Sequence, residues 1–314
     1  MNNYQRRTFL KTTLLAAAAT VTAPAHAALR SWSQAPNPER GLRHPFFAHA
    51  QKPDVIAHRG GNGQWPGETM FAMRKAQALG CDVLEMDVYL TKDRELILMH
   101  DKEVSTTTAG TRRVYNYTVE EITALRADHR WSPECGPRLR PEEVSQNEAD
   151  LHVPTLEQVL KAFPGMRMVI EMKQAPKQFS PVAKLCELLT EPNLTEQVLV
   201  GSFHSPFMED FRKCLPHVAT SLTLSPGDAA TLTSLSVERL IKKLLPKAQG
   251  PDALQLPHWL ITKGIVKRAK ERGLALHAWT VDSTQTMDRM NALGVDGIIT
   301  DCPARLLARL GRSA

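Results

Sequence analysis

The sequence predicts an α/β fold, a TIM-type (β/α)8 barrel with an insertion after the second barrel strand. Three observations carry this reading. A helix–glycine–strand phrase recurs along the chain, eight strand candidates can be counted, and about 250 residues hold them, the length such a barrel takes. Glycine after a helix tolerates left-handed backbone, and helix-to-strand alternation implies parallel strands.

The expected barrel strands are Val55–His58, Val83–Val88, Met168–Met172, Val198–Ser202, Ala219–Leu222, Ala253–Leu256, Leu274–Trp279 and Gly297–Thr300. The phrase is clearest where Ala76–Gly80 precedes the second of these, Arg268–Gly273 the seventh and Asn291–Gly294 the eighth. Another unit opens at Thr155, which forms a capping-box pattern with Gln158. Leu156, Val159, Leu160 and Phe163 then fall on one helical face, and Pro164-Gly165 ends the helix. Leu96–Met99 also reads as a strand, but only a short polar turn separates it from the second barrel strand. A hairpin is therefore expected there, because a parallel crossover takes a dozen or more residues. Residues 101–154 break the phrase and are polar, with Pro133, Pro137 and Pro141. They read as the insertion, partly covering the barrel mouth. Segment 225–250 is a second long connection, expected to be helical from Ser236 to Leu245.

The barrel domain is expected over residues 54–311, after an irregular lead-in over 28–53. Residues 1–27 read as a twin-arginine-type signal peptide. Arg6-Arg7-Thr8-Phe9-Leu10-Lys11 is followed by the mildly apolar stretch Thr12–Ala23 and by Ala25-His26-Ala27, a small-residue cleavage pattern. The expectation is export through the twin-arginine machinery to the periplasm or beyond. No run approaches the ~20 apolar residues of a membrane span. A composition of 42% hydrophobic and 23% charged residues is that of a globular chain. Loss of residues 1–27 removes Arg6, Arg7 and Lys11 and no acid, so the formal net charge of +6 falls by three. That mild excess, without basic runs interleaved with aromatics, gives no argument for nucleic-acid binding, and no nucleic-acid partner is expected. The five cysteines contain no C-x-x-C pair, which argues against a zinc or redox motif. Cys81 and Cys302 read as small core residues, and Cys186–Cys214 is a candidate disulfide in an oxidising compartment.

Active residues of such a barrel come from the C-terminal ends of its strands. His58 and Arg59 end the first; Glu85 and Asp87, two apart, share one side of the second; His100 and Asp101 end the hairpin strand. Glu171 and Lys173 end the third, Trp279 the seventh and Asp301 the eighth. Three carboxylates converging in a mouth repel unless paired, and a hard divalent cation resolves this, since Ca²⁺ and Mg²⁺ prefer oxygen ligands. Salt bridges with Arg59 and Lys173 are the structural alternative. His58 and His100 flank the carboxylates and suit acid/base work near neutral pH. Arg59 and Lys173 offer fixed positive charge to a phosphate.

These residues fall into an ordered series: His58-Arg59-Gly60, Pro66-Gly67-Glu68-Thr69, Gly80 through Val88, Thr91-Lys92-Asp93 and His100-Asp101. Pro154–Glu157, Ile170–Lys173, Gly201–Phe203, His277–Val281 and Gly297–Asp301 continue it. From Val55 to Leu306 the series resembles the glycerophosphodiester phosphodiesterase family. The resemblance implies metal-dependent hydrolysis of a small-molecule phosphodiester to glycerol 3-phosphate and an alcohol. It puts Glu85, Asp87 and Glu171 on the metal ligands, and His58 and His100 on the acid/base pair. Arg59 and Lys173 fall on phosphate contacts and Trp279 near the glycerol moiety. One motif departs: the family's P-E-N-T reads Pro66-Gly67-Glu68-Thr69, displacing a carboxylate by one residue and leaving the role of Glu68 open. A lysophospholipase D-like enzyme using the same residues, and a phosphate-ester binding protein that has lost catalysis, are the alternatives. The signal reading is checked by N-terminal sequencing of the exported protein: the first residue is expected to be Ala28, and an intact Met1 would refute cleavage.

Overall fold

The computed structural model describes residues 44–48, 53–174, 179–224, 236–237 and 250–312. The signal segment and nearly all of the expected helix Ser236–Leu245 lie outside the described residues. Nine strands run in chain order: β1 (Asp54–Ala57), β2 (Val83–Leu90), β3 (Leu96–Leu98), β4 (Arg167–Met172), β5 (Val198–Gly201), β6 (Ala219–Thr223), β7 (Ala253–Pro257), β8 (Ala275–Trp279) and β9 (Gly297–Thr300). All but β3 pair in parallel, in sequence order, and β1 closes the ring against both β2 and β9. This is the expected eight-stranded (β/α) barrel. β3 pairs antiparallel with β2, Val88 opposite Leu98, as the short turn required.

Two apolar layers hold the ring. The outward faces of the strands pack on helices such as Met70–Leu79, Lys263–Glu271 and Thr284–Leu293, whose buried residues recur at helical spacing. The inner layer near the floor contains Ile56, Val83, Val169, Leu199 and Ile299, with only alanine at Ala219, Ala253 and Ala275. Phe46 and Phe47, on a 3₁₀ turn at Pro45–Phe47, pack into the room that the alanines leave. The polar composition of residues 28–53 hid this pair: both rings are buried.

The floor also carries a buried ion pair. Arg167 at the start of β4 donates from Nη1 and Nη2 to the two carboxylate oxygens of Asp54 at 2.8 and 3.0 Å, and from Nη1 to the Phe46 carbonyl at 3.0 Å. Asp54 at the start of β1 is 1% exposed, so this pairing is what makes its burial tolerable.

Above the barrel, β2 outruns β1. Its first residues pair β1 and its last pair β3, so the hairpin stands beyond the rim. The segment after it folds over its own small core of Tyr89, Ile97, Val104, Val114, Tyr117 and Ile122. It is tied back to the rim at three points. The Trp131 indole N–H donates to the Asn62 carbonyl at 2.7 Å, the Glu134 amide to the Gly63 carbonyl at 2.8 Å, and Cys135 forms a disulfide with Cys302. Cys302 is thus buried but covalently paired and not a simple core residue; the partners lie 167 residues apart and only ring closure brings them together. Cys186 pairs with Cys214, and Cys81 is free and buried. Arg167→Ala leaves Asp54 buried and unpaired, and is expected to cost about 3 kcal/mol or more in denaturant unfolding; a loss below about 1 kcal/mol would refute the floor assignment.

Candidate active site

The register of β2 and β4 builds the centre. Asp87 lies opposite Glu171 and Glu85 opposite Val169. Glu85, Asp87 and Glu171 therefore rise from the same wall above the apolar floor, and each offers an oxygen within 4.8 Å of the others. All are shielded from water, Asp87 almost completely at 1% exposure.

Fixed charges answer part of this. Lys173 places Nζ 3.2 Å from Asp87 and 3.1 Å from Glu171. Arg59 places Nε 3.3 Å from Asp87, and its backbone amide donates to Glu85 at 2.8 Å. Arg59 and His58 sit just beyond the end of β1, in a 3₁₀ turn where Arg59 takes a left-handed backbone (φ 53°). That conformation is costly for a non-glycine residue and turns its amide onto Glu85. Burial, reinforced by Asp87, pushes the Glu85 carboxyl well above the ordinary carboxylate range. Burial does the same to Glu171, with Lys173 opposing and Asp87 adding. Burial also works against ionisation of Asp87, yet Lys173 and Arg59 outweigh it and hold that group below its usual value.

Glu68 adds a fourth carboxylate. It is 4% exposed, stands on left-handed backbone (φ 58°), and accepts the Asp87 amide at 3.0 Å. It occupies the position of the asparagine in the P-E-N-T motif, and asparagine tolerates such backbone readily. Glu68 keeps the seat, accepts the strain, and brings a charge with it. The centre thus holds four carboxylates against the two fixed cations Arg59 and Lys173. Both oxygens of Asp87 and one of Glu171 meet only these ion pairs, with no hydrogen bond among the described residues. With all four ionised, this all-oxygen donor set carries two negative charges beyond Arg59 and Lys173, which fits a hard divalent cation.

His58 and His100 face this cluster. His58 Nδ1 lies 2.7 Å from Asp301 and its Nε2 4.0 Å from Glu85. Burial alone would lower its pKa, but the charges of Asp301 and Glu85 outweigh burial and raise it above the usual 6.5. Asp301 is itself held in place: its amide donates to Asp282 at 2.8 Å. Reading the chain linearly identified Asp301 as a strand-end acid but not as the partner of His58, because β1 and β9 meet only when the ring closes. His100 lies 3.1 Å from Asp101, on the chain just beyond β3.

One pocket of about 220 Å³ is lined by His58, Arg59, Glu85, His100, Glu171 and Lys173, with Trp279 at its side. Asp87 is buried among these residues. Trp279 packs edge-to-face against Trp259, and its indole nitrogen has no hydrogen-bond partner among the described residues. Thr223 and Gln255 also line this pocket and carry no signal in the linear pattern. The structure thus gathers His58, Arg59, Glu85, Asp87, His100, Glu171, Lys173 and Trp279 at one end of the barrel.

Residues 58–305 match the model of the glycerophosphoryl diester phosphodiesterase family. The chain belongs to that family. It is 32% identical over 256 residues to a glycerophosphodiester phosphodiesterase of Caldanaerobacter subterraneus subsp. tengcongensis, covering 81% of this chain and 96% of that one. It is 30% identical over 256 residues to a glycerophosphodiester phosphodiesterase of Bacillus subtilis, covering 79% and 83%. Among solved structures of the same barrel, an Oleispira antarctica phosphodiesterase in complex with the product sn-glycerol-3-phosphate superposes with a TM-score of 0.65. It shares 22% identity and covers 82% of this chain and 97% of that one.

Within this family site, Asp301→Asn removes the charge that raises His58. The His58 pKa, read by NMR titration, is expected to fall. A raised native pKa stabilises the fold fully below the unfolded value near 6.5, and that contribution fades as pH climbs through the native value. The variant is expected to lose it; an unmoved titration would show that Asp301 does not set the imidazole.

Proposed function

We propose that the chain is a metal-dependent glycerophosphodiester phosphodiesterase that releases glycerol 3-phosphate and an alcohol, with His58 and His100 as its acid/base pair. The observation that carries this reading is the single pocket in which two imidazoles face a buried three-carboxylate cluster flanked by Arg59 and Lys173. The names of the bacterial relatives support the substrate class, and the solved relative with glycerol 3-phosphate supports the product.

Glu85, Asp87 and Glu171 would hold the divalent cation, Ca²⁺ or Mg²⁺, which supplies Lewis-acid polarisation of a phosphate oxygen when bound. Arg59 and Lys173 supply counter-charge to the phosphate. Arg59 can also meet two phosphate oxygens at once. Asp301 fixes His58 through Nδ1, which leaves Nε2 toward the reacting group. One imidazole takes the proton from the attacking oxygen, either water or the neighbouring glycerol hydroxyl. The other gives a proton to the departing alkoxide, so the alcohol leaves neutral. Trp279 lines the pocket and offers its ring to the glycerol carbons.

A second reading, lysophospholipase D activity, is favoured by Trp259, 53% exposed and edge-on to Trp279 beside the pocket. It is also the activity named for a mouse relative 23% identical over 291 residues. We further propose export by the twin-arginine route to the periplasm or beyond; the Arg6-Arg7 pattern and the two cysteine pairings support it.

His58→Ala and His100→Ala are each expected to lower kcat on glycerophosphodiesters by ~10²–10⁴-fold; near-normal turnover of either would overturn the pairing. Chelation is expected to abolish turnover of glycerophosphocholine and lysophosphatidylcholine alike, with Ca²⁺ or Mg²⁺ restoring the true substrate. Calorimetry gives an independent check: a cation at 100 times its Kd should add about 2.7 kcal/mol of stability, and Glu171→Gln should remove the gain.

A further inference from the structure

We propose that a second cleft beside the pocket is the subsite for the leaving alcohol, and that it selects head groups that donate hydrogen bonds. The inference rests on the phosphodiester reading above.

This cleft, about 250 Å³, shares two residues with the first pocket, Arg59 and His100. A phosphodiester has two ester arms on one phosphorus. With the phosphate at Arg59 and His100, one arm enters each space. The first pocket is walled by Trp279, Phe203, Val169 and Ile299, apolar surfaces suited to the glycerol carbons. The second is different in kind. It is lined by Glu68, Asp101 and Glu134, by the hydroxyls of Thr106 and Thr107, and by Arg130.

Three carboxylate acceptors, Glu68, Asp101 and Glu134, line it beside the donors Arg59 and Arg130. Glu68 is the key one: one oxygen is engaged by the Asp87 amide, while Oε2, buried, has no hydrogen-bond partner among the described residues. A buried acceptor left unpaired costs free energy, and a ligand that donates to it removes the cost. A hydroxyl or primary ammonium, as on glycerol or ethanolamine, can do so. A quaternary ammonium has no N–H. Its usual recognition is a set of aromatic faces, whereas among the described residues the rings lining the cleft are Trp131, its N–H already given to Asn62, and the His100 imidazole. The wall is also preorganised. The Glu134 amide bonds to Gly63 and the neighbouring Cys135 is joined to Cys302, so little ordering is left for binding.

The test compares kcat/KM on glycerophosphoethanolamine, glycerophosphoglycerol, glycerophosphocholine and the methyl ester of glycerol 3-phosphate. It uses the wild type, Glu68→Gln, and Glu134→Gln at an exposed position. The wild type is expected to prefer the ethanolamine and glycerol esters over the choline ester by about tenfold or more, as sites with buried polar groups do. Ratios within each protein cancel general losses of catalysis. In Glu68→Gln, whose amide keeps the bond to Asp87 but replaces the free acceptor with a donor, the preference is expected to shrink at least threefold. Glu134→Gln is expected to act in the same direction, and covers the case in which Glu68→Gln does not fold. Equal wild-type rates on ethanolamine and choline esters overturn the inference, as does an unchanged ratio in both variants. Hydrolysis of none of the four, the methyl ester included, overturns instead the phosphodiester reading on which it rests.

Discussion

Asp87 lies opposite Glu171 because β2 and β4 pair in parallel register, and that register forces three acids into one water-poor mouth. Much of the surrounding structure answers this repulsion. Lys173 reaches both Asp87 and Glu171 from two residues beyond Glu171. Arg59 and Glu68 both adopt left-handed backbone, the first to present its amide to Glu85, the second to accept the amide of Asp87. Such strain persists only where the neighbours over-determine it. Here each strained residue is clamped by a bond to the cluster it serves. The charge left unanswered is the opening for a cation.

The barrel was legible because its strands are buried on both faces and stand out as short apolar runs between glycine-marked helix ends. The site was legible for the same reason. Acids two apart in an otherwise apolar strand, as at Glu85 and Asp87, have one physical place to be, the inward face at the open end. What the linear pattern did not carry was long-range pairing. Phe46 and Phe47 read as part of a polar lead-in because the alanines that make room for them, Ala219, Ala253 and Ala275, lie on other strands. Cys302 read as a core thiol because Cys135 sits in an irregular segment. Glu68 stayed open because its role depends on backbone conformation, which the altered motif does not spell out.

The segment after the hairpin does two things at once. It has its own apolar core, and its Asp150 and Glu143 pair with Arg74 and Lys75 on the barrel helix Met70–Leu79. It also lends one side of a polar cleft to the centre, fixed by a disulfide and two rim hydrogen bonds. Variation in such a segment alters what surrounds the phosphate while the carboxylates, which belong to the barrel strands, stay as they are.

The bond from His58 to Asp301 spans 243 residues and crosses the seam where the first and last strands meet. The two halves of the centre therefore differ in how much of the ring each requires. The carboxylate half lies on the adjacent strands β2 and β4, whereas the imidazole half is complete only with the closed circle. A nascent or partly unravelled chain can have its acids in place yet lack an aligned histidine. Turnover in such a barrel doubles as a readout of circular completion.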